Sequence, residues 1–209
     1  MPKQHGKVER RRAKQRYAAR SRWRQRAWTA SFVIGGLVLA ILGLRAAGVF
    51  EPPGATVDLN AARVAPGETV GTKVPDEGNS HIPDGQRMSY NSAPPTSGSH
   101  WQTPATWGIK DSQEPNERTT HNLEHGGIVI AYSPNLAAGD VDRLKGLVRG
   151  VSGTYRKVVL EPYAQLTDAA IAVTAWDWIL KLQSYDETQI VKFMNAHYQS
   201  KDAPEPNGF

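Results

Sequence analysis

The sequence predicts a single-pass membrane protein with one small extracytoplasmic α+β domain. Three observations predict it. Residues 27–44 run AWTASFVIGGLVLAILGL without a charge, residues 1–26 hold 11 Lys and Arg against a single acid (Glu9), and the chain beyond residue 80 mixes short apolar runs with amphipathic segments. At 209 residues the chain has room for an anchor and one medium-sized domain.

The first element is the basic tail, residues 1–26. The net charge of +5 conceals its weight: outside it, 14 basic residues face 19 acidic ones, so the domain is mildly acidic. Ala, Arg, Lys and Gln dominate the tail and favour helix. Tethered at a bilayer, such a tail meets anionic lipid headgroups, which is the simpler reading than a nucleic-acid arm. No nucleic acid is expected as a partner.

The predicted transmembrane helix is residues 27–47. Its 18-residue apolar core spans roughly 27 Å, just enough for a bilayer. Arg26 and Arg45 bracket the core, and Trp28 sits at the interface where amphipathic rings are favoured. The excess of Lys and Arg before the span places the N-terminus in the cytoplasm and the domain outside the plasma (inner) membrane. A cleaved signal peptide is the competing reading. The apolar run is long for one, and Ala46-Ala47-Gly48 is a poor cleavage signal. Residues 48–79, with Pro52 and Pro53 and many Gly, Thr and Asp, read as an extended linker.

The domain proper is predicted over residues 80–209. HIPDGQRMSYNSAPPTSGSHW (81–101) is loop-rich. GGIVIAYS (126–133) is a short apolar run bounded by Gly and Pro, hence a buried strand. DVDRLKGLVR (140–149) places Val141, Leu144, Leu147 and Val148 at helical spacing. KVVLEP (157–162) and AIAVTAWDWIL (170–180) are β-branched and aromatic, hence strands. DETQIVKFMNAHYQS (186–200) opens with Asp186 as N-cap and Gln189 at N3, then sets Ile190, Phe193, Met194 and His197 on one face of a helix. Strands and segregated helices make an α+β domain.

The chain has no cysteine, which excludes disulfides, thiolate metal sites and a cysteine nucleophile. Histidine is the informative residue. In TTHNLEHGG (119–127), His121 and His125 are four apart, and positions i and i+4 share a face in a helix and in a strand alike. His81 and His100 lie in Pro, Gly and Ser loops, where an imidazole has no core to fill. Two histidines from this segment and a third from a loop would make a three-ligand zinc site. The predicted metal residues are His100, His121 and His125, with Glu124 and His81 in support. Met88 or Met194 as a soft ligand would tilt the ion from zinc towards copper. His197, on an apolar helix face, reads as a core histidine.

Two enzymatic readings are weaker. H-x-x-E-H is the inverted zinc-protease pattern, which needs a helix where Gly126 and Gly127 soon interrupt, although a start at Pro115 would allow one. Ser97 and Ser99 lack a nucleophile-elbow context. No catalytic residue is assigned; were the protein an enzyme, it would be a metal-dependent hydrolase. Thr96, Ser97 and Gly98 in PPTSGSHW could cradle an anion, but a rigid turn is the preferred reading. A second reading of the whole chain is a non-enzymatic accessory subunit of a cell-envelope complex, with Trp101 and Trp107 as loop-borne anchors for an envelope protein partner.

YNSAPPTSGSHW, HNLEHGGIVIAYSP, VTAWDW and FMNAHYQSKDAPE, in this order, resemble the bacterial membrane-anchored proteins grouped as domain-of-unknown-function family 3105. The resemblance covers roughly residues 80–205. It implies an extracytoplasmic domain behind one transmembrane helix and implies no established activity. The histidines and Glu124 fall in or beside its signature segments.

Overall fold

Strands β5 (Ile128–Tyr132) and β6 (Val158–Pro162) read as nearly unbroken apolar runs because both of their faces are covered. They pair in parallel, Ile128 opposite Val158, and helix α2 (Ala138–Val151) makes the crossover between them. The structure is a computed structural model that describes residues 57–60 and 62–208. The basic tail, the predicted helix at 27–47 and the start of the linker lie outside the described residues. Among the described residues no helix is long and apolar enough to cross a membrane.

The other elements are β1 (Thr72–Lys73), β2 (His81–Ile82), β3 (His100–Trp101), β4 (Gly108–Ile109), α1 (Asn116–Glu124), β7 (Ile171–Ala175), β8 (Trp178–Leu182) and α3 (Glu187–His197). Six strands form one mixed sheet in the order β1-β8-β7-β5-β6-β4, and β2 pairs with β3 in a separate two-stranded sheet. The result is a small α+β domain with three helices. The stretch 170–180, read as one strand, is the first arm of a hairpin. The chain turns at Trp176 and Asp177 (φ 62°), where Asp tolerates the left-handed region, and β8 continues to Leu182.

Alternation along the strands gives the sheet two unlike faces. Ile128, Ile130, Val158, Leu160, Ile171 and Val173 point to one side. There they pack with Leu144, Leu147, Val148 and Val151 of α2 and Ile190, Val191, Phe193 and Met194 of α3. Asp186 caps α3 as its spacing predicted, its side chain accepting the Gln189 N–H. The segment assigned to the linker also contributes: Ala62 and Val70 are buried in this core, and β1 extends the sheet.

Val129, Val159 and Leu123 of α1 lie on the opposite side with Trp176, Ala203 and the partly buried Trp107. Helix α1 crosses this second face and is unusual in composition. Its buried residues are Glu117, Thr119, Thr120, His121, Asn122, Leu123 and Glu124, of which Leu123 alone is apolar. It carries no apolar stripe, which is why periodicity left its type open between helix and strand.

Candidate metal centre

The register of the small sheet brings together two histidines far apart in sequence. His81 and His100 are direct partners across the parallel β2–β3 pair. The third comes from α1, which starts after Pro115, a residue suited to a helix beginning, and ends in a Schellman motif. Gly127 N–H bonds Asn122 O at 3.0 Å and Gly126 N–H bonds Leu123 O at 2.9 Å. Gly126 takes the left-handed conformation (φ 73°) that this motif requires. A Cβ on Gly127 would lie 2.6 Å from the Trp107 ring and 2.7 Å from Asn122 O. The two glycines therefore end α1 just past Glu124 and let the chain there pass close to Trp107 and the C-terminal segment.

The rings of His81, His100 and His121 form a triangle. Their centroids are 4.7 Å (81–100), 5.0 Å (81–121) and 4.9 Å (100–121) apart. Glu124 joins them: its Oε2 lies 2.9 Å from His100 Nε2 and 3.6 Å from His81 Nε2. Its Oε1 accepts from Asn79 Nδ2 at 3.0 Å, which fixes the carboxylate plane. One ligand atom from each of His81, His100, His121 and Glu124 lies within 4.8 Å of every other. His100, His121 and Glu124 are buried, while the His81 side chain is 42% exposed and forms the solvent side.

Hydrogen bonds decide which ring atoms are available. His100 Nδ1 donates to Gly98 O at 2.9 Å, and His121 Nδ1 donates to Trp101 O at 2.6 Å. A carbonyl only accepts, so in each neutral ring Nδ1 carries the proton and Nε2 presents a lone pair. His100 Nε2 then faces a carboxylate oxygen at hydrogen-bond distance, and two electron-pair donors face each other across 2.9 Å. Such an arrangement is stable only around a cation, whether a proton or a metal ion. Backbone carbonyls that pin the far nitrogen are the usual way a protein aims a metal-binding histidine.

His125 is placed differently. Its Nε2 is 2.8 Å from His121 Nε2, but it groups with Glu124 and with Glu205, a residue that carried no signal in the sequence. Burial lowers the proton affinity of both His121 and His125 below that of a free imidazole, which favours the neutral, ligating form. His197 stays apart, in the apolar core. Its Nε2 donates to Val70 O at 2.8 Å and its ring stacks on Trp178 at 4.6 Å.

The remaining sequence candidates serve the scaffold. Met194 is fully buried in the apolar core, and Met88 is exposed with its backbone N–H on Glu117. In the PPTSGSHW turn, Gly98 N–H is taken by Gly78 O and Ser97 Oγ accepts from Glu77 N, so these groups fasten the loop. Trp101 donates to Gln86 O beneath Arg87, and the partly buried Trp107 packs on the second core.

A family profile described as a protein of unknown function (DUF3105) matches residues 81–208. The chain belongs to this family. The match begins at His81 and takes in every residue of both His and Glu groups. No curated protein and no solved structure matches the chain.

Proposed function

We propose that this member of the family is a metal-binding protein, anchored by residues 27–47 in the plasma membrane with its α+β domain extracytoplasmic. The ion is held by Nε2 of His81, His100 and His121 and by Oε2 of Glu124. The observation that carries this reading is the convergence of three imidazoles and one buried carboxylate, with two far nitrogens pinned by Gly98 and Trp101 carbonyls. Three nitrogens and one oxygen suit Zn²⁺ or Cu²⁺, and the absence of cysteine and of a thioether in this group argues against Cu⁺.

The anchoring rests on the sequence: the apolar run, its flanking arginines and a basic tail suited to anionic headgroups. Binding is favoured over hydrolysis by one detail. In the inverted protease pattern the glutamate must be free to activate water. Here Glu124 Oε2 points at His100 Nε2, in a ligand's position.

The test is metal content of the untagged full-length chain after loading with Zn²⁺ or Cu²⁺ and dialysis. The parent should retain at least one equivalent. His81→Ala, at an exposed position, and the near-isosteric Glu124→Gln should lose it while circular dichroism stays unchanged. Retention equal to the parent in both folded variants, or no retention in the parent, would overturn the reading.

A further inference from the structure

His125 completes a second group. Because His121 Nδ1 donates to Trp101 O, the neutral His121 ring offers a bare Nε2. In the metal-free chain the contact of His121 Nε2 with His125 Nε2 at 2.8 Å therefore needs its proton on His125. An ion at the first group takes that single lone pair in place of this hydrogen bond, and His125 keeps its Nε2 proton. The neutral His125 ring is then bare at Nδ1. That atom is buried and has no hydrogen-bond partner, in a residue only 7% exposed. It lies 3.5 Å from Glu205 Oε2, another electron-pair donor. One ligand atom from each of Glu124, His125 and Glu205 lies within 4.8 Å of the others.

The C-terminal segment is tied down so as to hold this pair in place. Glu205 N–H bonds Glu124 O at 3.0 Å, and Gln199 N–H bonds Gly126 O at 2.9 Å. The Lys157 ammonium donates to the carbonyls of His125, Pro206 and Gly208. Gly208 packs against the His125 ring so closely that a Cβ would fall 1.9 Å from Nδ1. Leaving a buried ring nitrogen without a partner is costly, and a bound cation removes that cost.

We infer that the domain holds a second divalent cation between His125 Nδ1 and the Glu205 carboxylate, with Glu124 shared between the two ions. The inference rests on the proposed metal centre and extends it to a two-ion site. One imidazole and two carboxylates form a harder donor set than the first group, suited to Zn²⁺ or Mn²⁺ with water completing the shell. A shared carboxylate places paired ions about 3.5–4 Å apart in known two-metal sites.

Native mass spectrometry of the full-length chain with Zn²⁺ counts the ions directly. Glu205 is 57% exposed, so Glu205→Ala leaves the fold intact while removing one ligand. The expected result is two ions on the parent and one on Glu205→Ala. One ion on the parent overturns the second site and leaves the first standing, with Glu205 reduced to a hydrogen-bond acceptor for His125. Two ions on both proteins overturns the role of Glu205. None on the parent removes both readings.

Discussion

The two faces of the central sheet obey opposite rules. On one, α2 and α3 bury Leu144, Leu147, Ile190, Phe193 and Met194 against Ile130, Leu160 and Val173. On the other, α1 buries Glu117, His121 and Glu124, and the sheet itself presents Glu161. Apolar burial of the first kind yields roughly 1.5–3 kcal/mol for each large side chain. Polar burial of the second kind is unfavourable unless every group finds a partner. Glu117 takes Arg87 and the Met88 N–H, and Asn122 exchanges two hydrogen bonds with Ala105, while Glu161 Oε1 and His125 Nδ1 stay unpartnered. The first face holds the fold together. The second uses that stability to keep the His and Glu cluster in place.

The largest effect should come from breaking the apolar face. Leu144→Ala removes a fully buried side chain and should lower unfolding free energy by about 2–5 kcal/mol in urea titrations. Zn²⁺ bound per folded chain should stay at the parent value, since Leu144 lies on the far side of the sheet from α1. A variant that loses both together would merge the two faces into one cooperative unit.

Glu161 sharpens the contrast from the polar side. It is fully buried, its Oε2 accepts the Glu114 N–H at 2.7 Å, and its Oε1 has no partner. Burial pushes its carboxyl from 4.5 up to about 7. A folded-state value above the unfolded one means the folded chain holds the proton more tightly. The stabilisation is complete below 4.5 and is lost as pH rises through about 7. Glu161→Gln keeps the shape and removes the ionisation. The stability difference between parent and variant should therefore change by about 3 kcal/mol between pH 4.5 and pH 8, to the parent's disadvantage at high pH. Parallel pH profiles for the two proteins would contradict this.

The smallest effect lies at a helix end on the apolar face. Asp186→Ala removes the cap on the Gln189 N–H and should cost about 1 kcal/mol, with metal retention unchanged.

The apolar face was also the legible one. β5, β6, α2 and α3 announce themselves by apolar runs or helical spacing, and Asp186 by its capping pattern. The site face was legible only in its residue types. His121, Glu124 and His125 stood out by spacing, yet α1 lacks the apolar periodicity that would identify it as a helix. The strands that carry His81 and His100 are two residues long, too short for alternation to show, and their pairing is a tertiary fact. Asn79 fixes the Glu124 carboxylate from within the segment read as linker. Glu205 sits in a Pro-rich terminal stretch, where an exposed acid is unremarkable until its backbone is seen bonded to Glu124 O. Ala62 and Val70, inside the predicted linker, are buried singly and carry no periodicity among Gly and Pro.

X-ray absorption at the zinc edge of the Zn²⁺-loaded full-length chain tests the central claim most directly. The account predicts a first shell of nitrogen and oxygen at about 2.0–2.1 Å with strong imidazole outer-shell scattering, which weakens in His121→Ala. A shell of water oxygens without imidazole scattering, or no zinc retained for measurement, would contradict it.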